Sequence, residues 1–284
     1  MDLLRRTVEE VGGGRVFELL PEAAREDVAA LSEEQLRDGA WRALTRPMPG
    51  DTAQSARLLL NPCLTVQWLA AFEELKLPPT LRVFEPCAGG SEPVIYAAEL
   101  YTNGRGSYVT LNLNRPLAAE LRGKLGKVRM DARVIEDNTL NAAAHLEPGT
   151  FDVACFHHAI NDILQTAVAE PRGMDTRTVD WWPNERQMIE WLADDAANGR
   201  LDERARPALV EAVRAAIELV GAGGWILFDH WTWESHRSVQ WLPWELYCDL
   251  VPLARRWIAQ AGLPVEERPL AGRDARWWMC LRVR

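Results

Sequence analysis

The sequence is poor in the features that mark a membrane protein, a disulfide framework or a nucleic-acid binder. No apolar run approaches the roughly 18 residues that a membrane span needs. The five cysteines, Cys63, Cys87, Cys155, Cys248 and Cys280, are odd in number, and none sits in a C-x-x-C pair. That pattern suggests neither a disulfide scaffold nor a structural zinc site, so no metal is expected. Lysine and arginine total 32 against 41 aspartates and glutamates, a formal charge of −9. A net acidic surface is a poor default partner for a phosphate backbone or an anionic bilayer, so neither a nucleic acid nor a membrane is expected. The opening MDLLRRTVEEVGGG lacks the apolar core of a signal peptide, and the cytoplasm is the expected compartment. No internal repeat or low-complexity tract is visible. What is present is ordinary for a globular chain, 48% hydrophobic and 26% charged over 284 residues. That length suits one large domain, or one domain with a helical appendage. Tryptophan is unevenly spread: all but Trp41 and Trp68 lie at or after Trp181.

The chain divides near residue 79. Residues 1–79 contain no alternating β-rich run and read as a helical cap. Ser32 with Gln35 three residues on forms a capping box that opens a helix over EEQLRDGAWRAL. Asn61-Pro62 reads as a further helix start, with Leu64, Trp68, Ala71, Phe72 and Leu75 sharing one face, and Pro78-Pro79 as its end. From residue 80 onward, short β-rich runs (81–86, 107–114, 128–136, 151–157, 223–231) alternate with helical stretches (92–102, 115–124, 185–196, 206–220). This alternation predicts five parallel strands with helices on both faces. A long helix over 242–263 and two short strands joined by AGRD then add a C-terminal antiparallel pair. The expected fold is thus α/β, a doubly wound Rossmann-like sheet of seven strands behind a helical cap. Residues 163–205 are long for a crossover and read as a helical insertion, either a cover for a site or a place to bury tryptophans.

The most informative stretch is Glu85-Pro86-Cys87-Ala88-Gly89-Gly90-Ser91-Glu92-Pro93. An apolar strand ends in an acidic residue, a turn of small residues follows, and a helix begins at Pro93. In a doubly wound sheet, ligands bind at the carboxyl ends of the strands, and small residues there let a ligand approach the backbone. A dinucleotide fingerprint needs glycine at 87, 89 and 92, where this chain has Cys, Gly and Glu, and no G-K-[ST] follows. Glu85 and Glu92 would repel a phosphate. A ligand with an ammonium group and no phosphate fits better.

On these residues the stretch 80–284 resembles the class I S-adenosylmethionine-dependent methyltransferases. Their first motif is an acidic residue followed by G-x-G-x-G. Glu85 stands at the acidic position and Gly89 at the central glycine, while Cys87 and Ser91 replace the outer glycines. Five parallel strands followed by an antiparallel pair is also that family's layout. The resemblance implies S-adenosylmethionine as cofactor, with Glu85, Cys87, Gly89 and Gly90 forming the bend beneath it. It implies that the end of the second strand grips the ribose, where Asn112 or Asn114 stands in place of the family's carboxylate. It also implies an adenine contact after the third strand, at Asp137 or its neighbour Asn138. For Asn114 and Asp137 the alternative is a purely structural one, starting a turn or capping a helix.

FDVACFHHAINDIL ends the fourth strand at the crevice with His157 and His158. One of the pair faces the ligand if the strand alternates. A neutral imidazole there takes a proton from an acceptor, orients the cofactor's methionine part, or does no chemistry. His157 is therefore both a catalytic and a cofactor-binding candidate, and His230, at the end of the fifth strand, is a third catalytic candidate. Trp181, Trp182 and Trp231 are candidates for a substrate pocket, since aromatic faces attract a sulfonium or ammonium, although tryptophans more often serve packing.

Three functions fit this reading. The first is methyl transfer to a small-molecule metabolite, favoured over a nucleic acid by the acidic charge and by F-H-H-A where the family's nitrogen methylases carry [DN]-P-P-[YF]. The second is a cyclase that closes the methionine arm onto itself, giving azetidine-2-carboxylate and methylthioadenosine. The third is a non-catalytic binding module. Residues 1–79 would either cover the pocket of their own subunit or support a homodimer.

Overall fold

Strand alternation decides where the core lies. In the computed structural model, which describes residues 2–49 and 54–284, β1 (Arg82–Pro86) is buried from its second residue onward. Val83 faces one side of the sheet and Phe84 the other, and each belongs to a different hydrophobic cluster. The same division holds for β2 (Ser107–Leu111), where Tyr108 and Val109 part company, and for β4 (Val153–His157), where Cys155 and Phe156 do. A sheet apolar on both faces must be covered on both.

The element order supplies those covers. Five helices come first: α1 (Leu3–Val11), α2 (Arg15–Leu19), α3 (Glu22–Ala29), α4 (Glu33–Leu44) and α5 (Gln54–Glu74). Then β1 leads to α6 (Pro93–Thr102), β2 to α7 (Arg115–Lys124), and β3 (Asp131–Ile135) to a 3₁₀ turn over Thr139–Ala144. Between β4 and β5 (Trp225–Asp229) lie α8 (Ala159–Ala169), α9 (Trp181–Ala197), α10 (Leu201–Arg204) and α11 (Arg206–Val220). The chain closes with α12 (Trp244–Cys248), α13 (Leu250–Gln260), β6 (Val265–Glu267) and β7 (Trp278–Val283). Helices α8, α11 and α13 pack on the face that carries Phe84, and α5 and α6 on the face that carries Val83.

The strand order is β3-β2-β1-β4-β5-β7-β6. The first five strands are parallel, and β7 runs antiparallel to both β5 and β6. This is the expected seven-stranded α/β sheet, and the order reverses between β1 and β4. The ends of those two strands flank the switch point at which doubly wound sheets bind ligands. No helix among the described residues is long and apolar enough to cross a membrane.

Three local expectations are corrected. Asn61-Pro62 does not start a helix: Pro62 lies inside α5. Proline removes one ladder hydrogen bond, but residues 62–69 of α5 are all buried. Trp68, Leu69, Ala71 and Phe72 pack toward the sheet, while Leu59, Cys63 and Val66 pack against α1–α4. That burial outweighs the lost bond. The helix expected over 242–263 is two, broken at Asp249. Pro252 has no N–H to give the Cys248 carbonyl, which accepts from Arg276 Nε instead at 3.2 Å. The connection between β6 and β7 spans 268–277 rather than a tight AGRD turn. The capping box at Ser32 and Gln35 is present as expected.

Candidate functional site

The bend after β1 is built from two left-handed residues, Cys87 at φ 57° and Gly89 at φ 59°. That conformation costs a residue with a Cβ roughly 1–2 kcal/mol. A Cβ added at Gly89 would meet only Leu117 at 3.8 Å and an Asp162 carboxylate oxygen at 4.0 Å, so the space in front of the bend is not filled by protein. Asn112, one residue beyond β2, is buried and donates its side-chain amide to the Gly89 carbonyl at 2.6 Å. The bend is thereby tied to the end of the neighbouring strand. Glu92 precedes α6 and is held by Asn61 Nδ2 at 3.0 Å and Lys124 Nζ at 3.1 Å.

Two connected hollows open from this bend. The smaller, about 100 Å³, runs past the ends of β1, β2 and β3 and is lined by Gly89, Asn112, Asn114, Asn138, Thr139 and Leu140 among others. The larger, about 440 Å³, is lined by Gly90, His157, His158, Trp182, Glu185, Trp231 and Tyr247 among others. Cys87, Gly89, Leu117, Asp162 and Trp181 line both and so form the throat between them. The cap supplies Arg57, Leu60 and Asn61 to the larger chamber. Its Met48 pairs with the loop after β5, donating to the Thr232 carbonyl and accepting from Glu234 N, both at 2.8 Å. Helix α5 therefore walls the cavity of its own chain.

The carboxyl groups in and under the cavity are shifted by burial. Asp162 sits on the first turn of α8. Burial first, then the neighbouring Glu185 charge, push its pKa up to about 8, while Asn161 Nδ2 donates to it at 3.2 Å. Burial also raises the Glu185 pKa. Glu85 is fully buried, accepts from the Tyr108 hydroxyl at 2.6 Å, and leaves its other oxygen without a partner. Burial pushes it to about 8 against the pull of His157 and Tyr108.

The histidines differ sharply. Burial alone would strip His157 of its charge, yet the Asp229 carboxylate, 2.8 Å from Nδ1, more than offsets this and its pKa is raised. Trp68 Nε1, from α5, donates to the same nitrogen at 3.1 Å. Asp229 is placed by the sheet register, directly opposite His157 on β5, and it also accepts from the backbone N–H of His158 at 3.2 Å. His158 is left-handed at φ 52°. Its ring stacks on Trp231 at 4.4 Å and on His230 at 4.5 Å. Burial and the neighbouring His157 charge lower its pKa to about 3, so it is neutral at physiological pH.

Of the residues expected from the sequence, the structure brings Cys87, Gly89, Gly90, Asn112, Asn114, Asn138, His157, His158, Trp181, Trp182 and Trp231 into the walls of the two chambers. Three expected residues stay outside them. Glu85 lies beneath the bend with its carboxyl on Tyr108. His230 is 1% exposed and lies behind His158, between that ring and Trp277. Asp137 turns to Asn141 at 2.8 Å and His145 at 2.7 Å, and those bonds, His145 first, lower its pKa to about 2. Asn138, not Asp137, caps the 3₁₀ turn. Asn114 caps α7 through Leu117 N and gives its amide to the Thr176 and Val179 carbonyls. Its polar atoms are committed to holding the 176–179 segment. Sequence reasoning missed Glu185, Tyr247, Asp229 and Trp68. Glu185 follows Trp181 by one helical turn of α9, a spacing that could have flagged it.

The strand order with β7 alone reversed, and the ligand crevice at the β1–β4 switch point, define a Rossmann-like α/β fold with the layout of the class I methyltransferases. No protein-family model matches the chain, and no curated protein matches it. Among solved structures, PH0851 is 11% identical over 76% of this chain and 45% of its own, with a TM-score of 0.48. This chain thus spans less than half of PH0851. A SAM dependent methyltransferase from Aquifex aeolicus is 10% identical over 75% of this chain and 87% of its own, with a TM-score of 0.47. TrmN from Thermus thermophilus is 11% identical over 77% and 48%, with a TM-score of 0.44. At this distance the likeness carries no argument about this chain.

Proposed function

We propose that the protein is an S-adenosylmethionine-dependent methyltransferase acting on a small molecule. The observation that carries the reading is the open face of Gly89 at the throat of two joined chambers, with the Asp162 carboxylate beside it. A phosphate would meet that carboxylate. The nearby Lys124 ammonium is already held by Glu92 at 3.1 Å and Glu120 at 2.9 Å. A phosphate-free nucleoside with an ammonium meets an attractive wall instead, so the residues present fit the group. Gly89, Asn112, Asn138 and Leu140 would hold its nucleoside part and Asp162 its ammonium. When bound, S-adenosylmethionine supplies a methyl group on a positively charged sulfur.

The chain's own work is placement and exclusion of water. Helices α5 and α9 supply walls of the larger chamber, and a net charge of −9 suits a metabolite better than a nucleic acid. The indoles of Trp181, Trp182 and Trp231 present aromatic faces that stabilise positive charge. His158 lines the chamber, is fixed by stacking and stays neutral because burial pushes its pKa down to about 3, which makes it a poor proton acceptor and leaves it as a wall of the chamber. His157 is spent on Asp229 and positions its neighbour.

The test is incubation of the protein with S-adenosylmethionine, with and without a panel of small acceptors, followed by chromatography. Acceptor-dependent S-adenosylhomocysteine supports the reading. Methylthioadenosine formed without acceptor would replace methyl transfer with cyclisation of the methionine arm, and no product together with no binding would leave only the fold.

A further inference from the structure

The larger chamber contains a carboxylate for which the proposed methyl transfer has no use. Glu185 projects from α9 into the cavity wall and is half-buried. Among the described residues it forms no ion pair with a cation. Its neighbours are the Asp162 carboxyl, which repels it, and Gln165. A half-buried carboxylate without a counter-charge is costly, and a cationic occupant relieves that cost. Of the two cations in the chamber wall, Arg57 comes from α5 and Lys124 is held by two glutamates. Asp162 stands at the throat and faces both chambers, whereas Glu185 lines the larger one alone.

Aromatic rings accompany it. Trp182, three residues before Glu185 on α9, leaves 61% of its surface exposed and lines the chamber. Its indole is therefore open to an occupant of the chamber. Trp231 lines the same chamber, rigidly stacked on His158, and its buried Nε1 has no hydrogen-bond partner. Tyr247 lines it too, its hydroxyl accepting from Gln165 at 3.0 Å. A carboxylate among indole and phenol rings is the composition that recognises organic ammonium ions.

We infer that the acceptor is a small molecule carrying an ammonium group, held between the Glu185 carboxylate and the indole rings of Trp182 and Trp231. This rests on assigning the smaller chamber to the nucleoside. An anionic acceptor would face the Glu185 carboxylate, and a neutral one would leave it uncompensated.

The test titrates the full-length protein, saturated with S-adenosylhomocysteine at pH 8, with benzylamine, benzyl alcohol and benzoate, following tryptophan fluorescence and heat. Benzylamine is expected to bind about tenfold more tightly than benzyl alcohol, and benzoate not at all. Glu185→Gln is expected to erase that preference while S-adenosylhomocysteine still binds. Trp182→Ala, a change at an exposed position that folding tolerates, is expected to weaken benzylamine several-fold. Equal binding of amine and alcohol, no binding of benzylamine at millimolar concentration, or an amine preference that survives Glu185→Gln overturns the inference. Repeating the titration without S-adenosylhomocysteine separates the two readings. If the nucleoside fails to bind while benzylamine still shows its Glu185-dependent preference, the nucleoside assignment falls and the ammonium site stands.

Discussion

Asp162 should make binding of the nucleoside depend on pH in a calculable way. Its pKa is raised from 3.8 to about 8, by burial first and by Glu185 second. At pH 7 only about one carboxyl in ten is then ionised in the free protein. A ligand ammonium at the throat binds the ionised form, so binding must expel the proton. Affinity for S-adenosylhomocysteine should fall about tenfold, or about 1.4 kcal/mol, for each pH unit below 8, and level off above it. Calorimetry at pH 7 in buffers of different ionisation heat should show nearly one proton released per ligand bound. Glu185, His157 and Asn161 also face Asp162, so the control is Asp162→Asn, which keeps the shape and should flatten the profile. A flat profile in the unaltered protein between pH 6 and 8, or the same slope in Asp162→Asn, would refute the assignment of Asp162 to the ammonium.

Other predictions follow from the same geometry. Gly89→Ala adds only ordinary contacts at 3.8 and 4.0 Å but keeps φ at 59°, so it should cost about 1 kcal/mol of stability. Gly89→Leu should fill the throat and abolish S-adenosylhomocysteine binding while the far-ultraviolet circular dichroism stays unchanged. Normal ligand binding by that variant would misplace the pocket. Glu85 has its folded pKa raised from 4.5 to about 8, so the stability it contributes is present below pH 4.5 and lost as pH rises toward 8. Denaturant melts should show this group costing the protein on the order of 5 kcal/mol across that window, and Glu85→Gln should remove that share of the loss; identical profiles would contradict it. Asp229→Asn takes the counter-charge from buried His157 and should cost about 3 kcal/mol. It should also bring the His157 titration, followed by NMR, to lower pH. An unmoved titration would show that Asp229 does not hold the ring's charge.

The sequence displayed the architecture well because burial on both faces of a parallel sheet leaves continuous apolar runs, and the five parallel strands fell within the predicted stretches. Helices α7 and α11 matched their predicted bounds because proline opens each and charge or glycine closes it. Pro62 misled because its cost is local while the burial of α5 between sheet and cap is tertiary. Pro252 was overlooked as a helix breaker because an Arg276 contact from a distant segment compensates its lost bond. The throat was legible in the run from Cys87 to Ser91, since a left-handed turn limits which residues stand there. The direction of the side chains was not. Glu85 turns to Tyr108 and His230 behind His158, through contacts that strand alternation alone does not specify. Asn112 keeps its place beside the bend, yet its amide serves the Gly89 carbonyl.

The most direct measurement is a crystal structure of the protein with S-adenosylhomocysteine. The account predicts density for the purine and ribose among Gly89, Asn112, Asn138 and Leu140. The amino acid arm should reach Asp162, and the sulfur should face the chamber of Trp182 and Glu185. Nucleoside density elsewhere, or a throat left empty at saturating ligand, would contradict it.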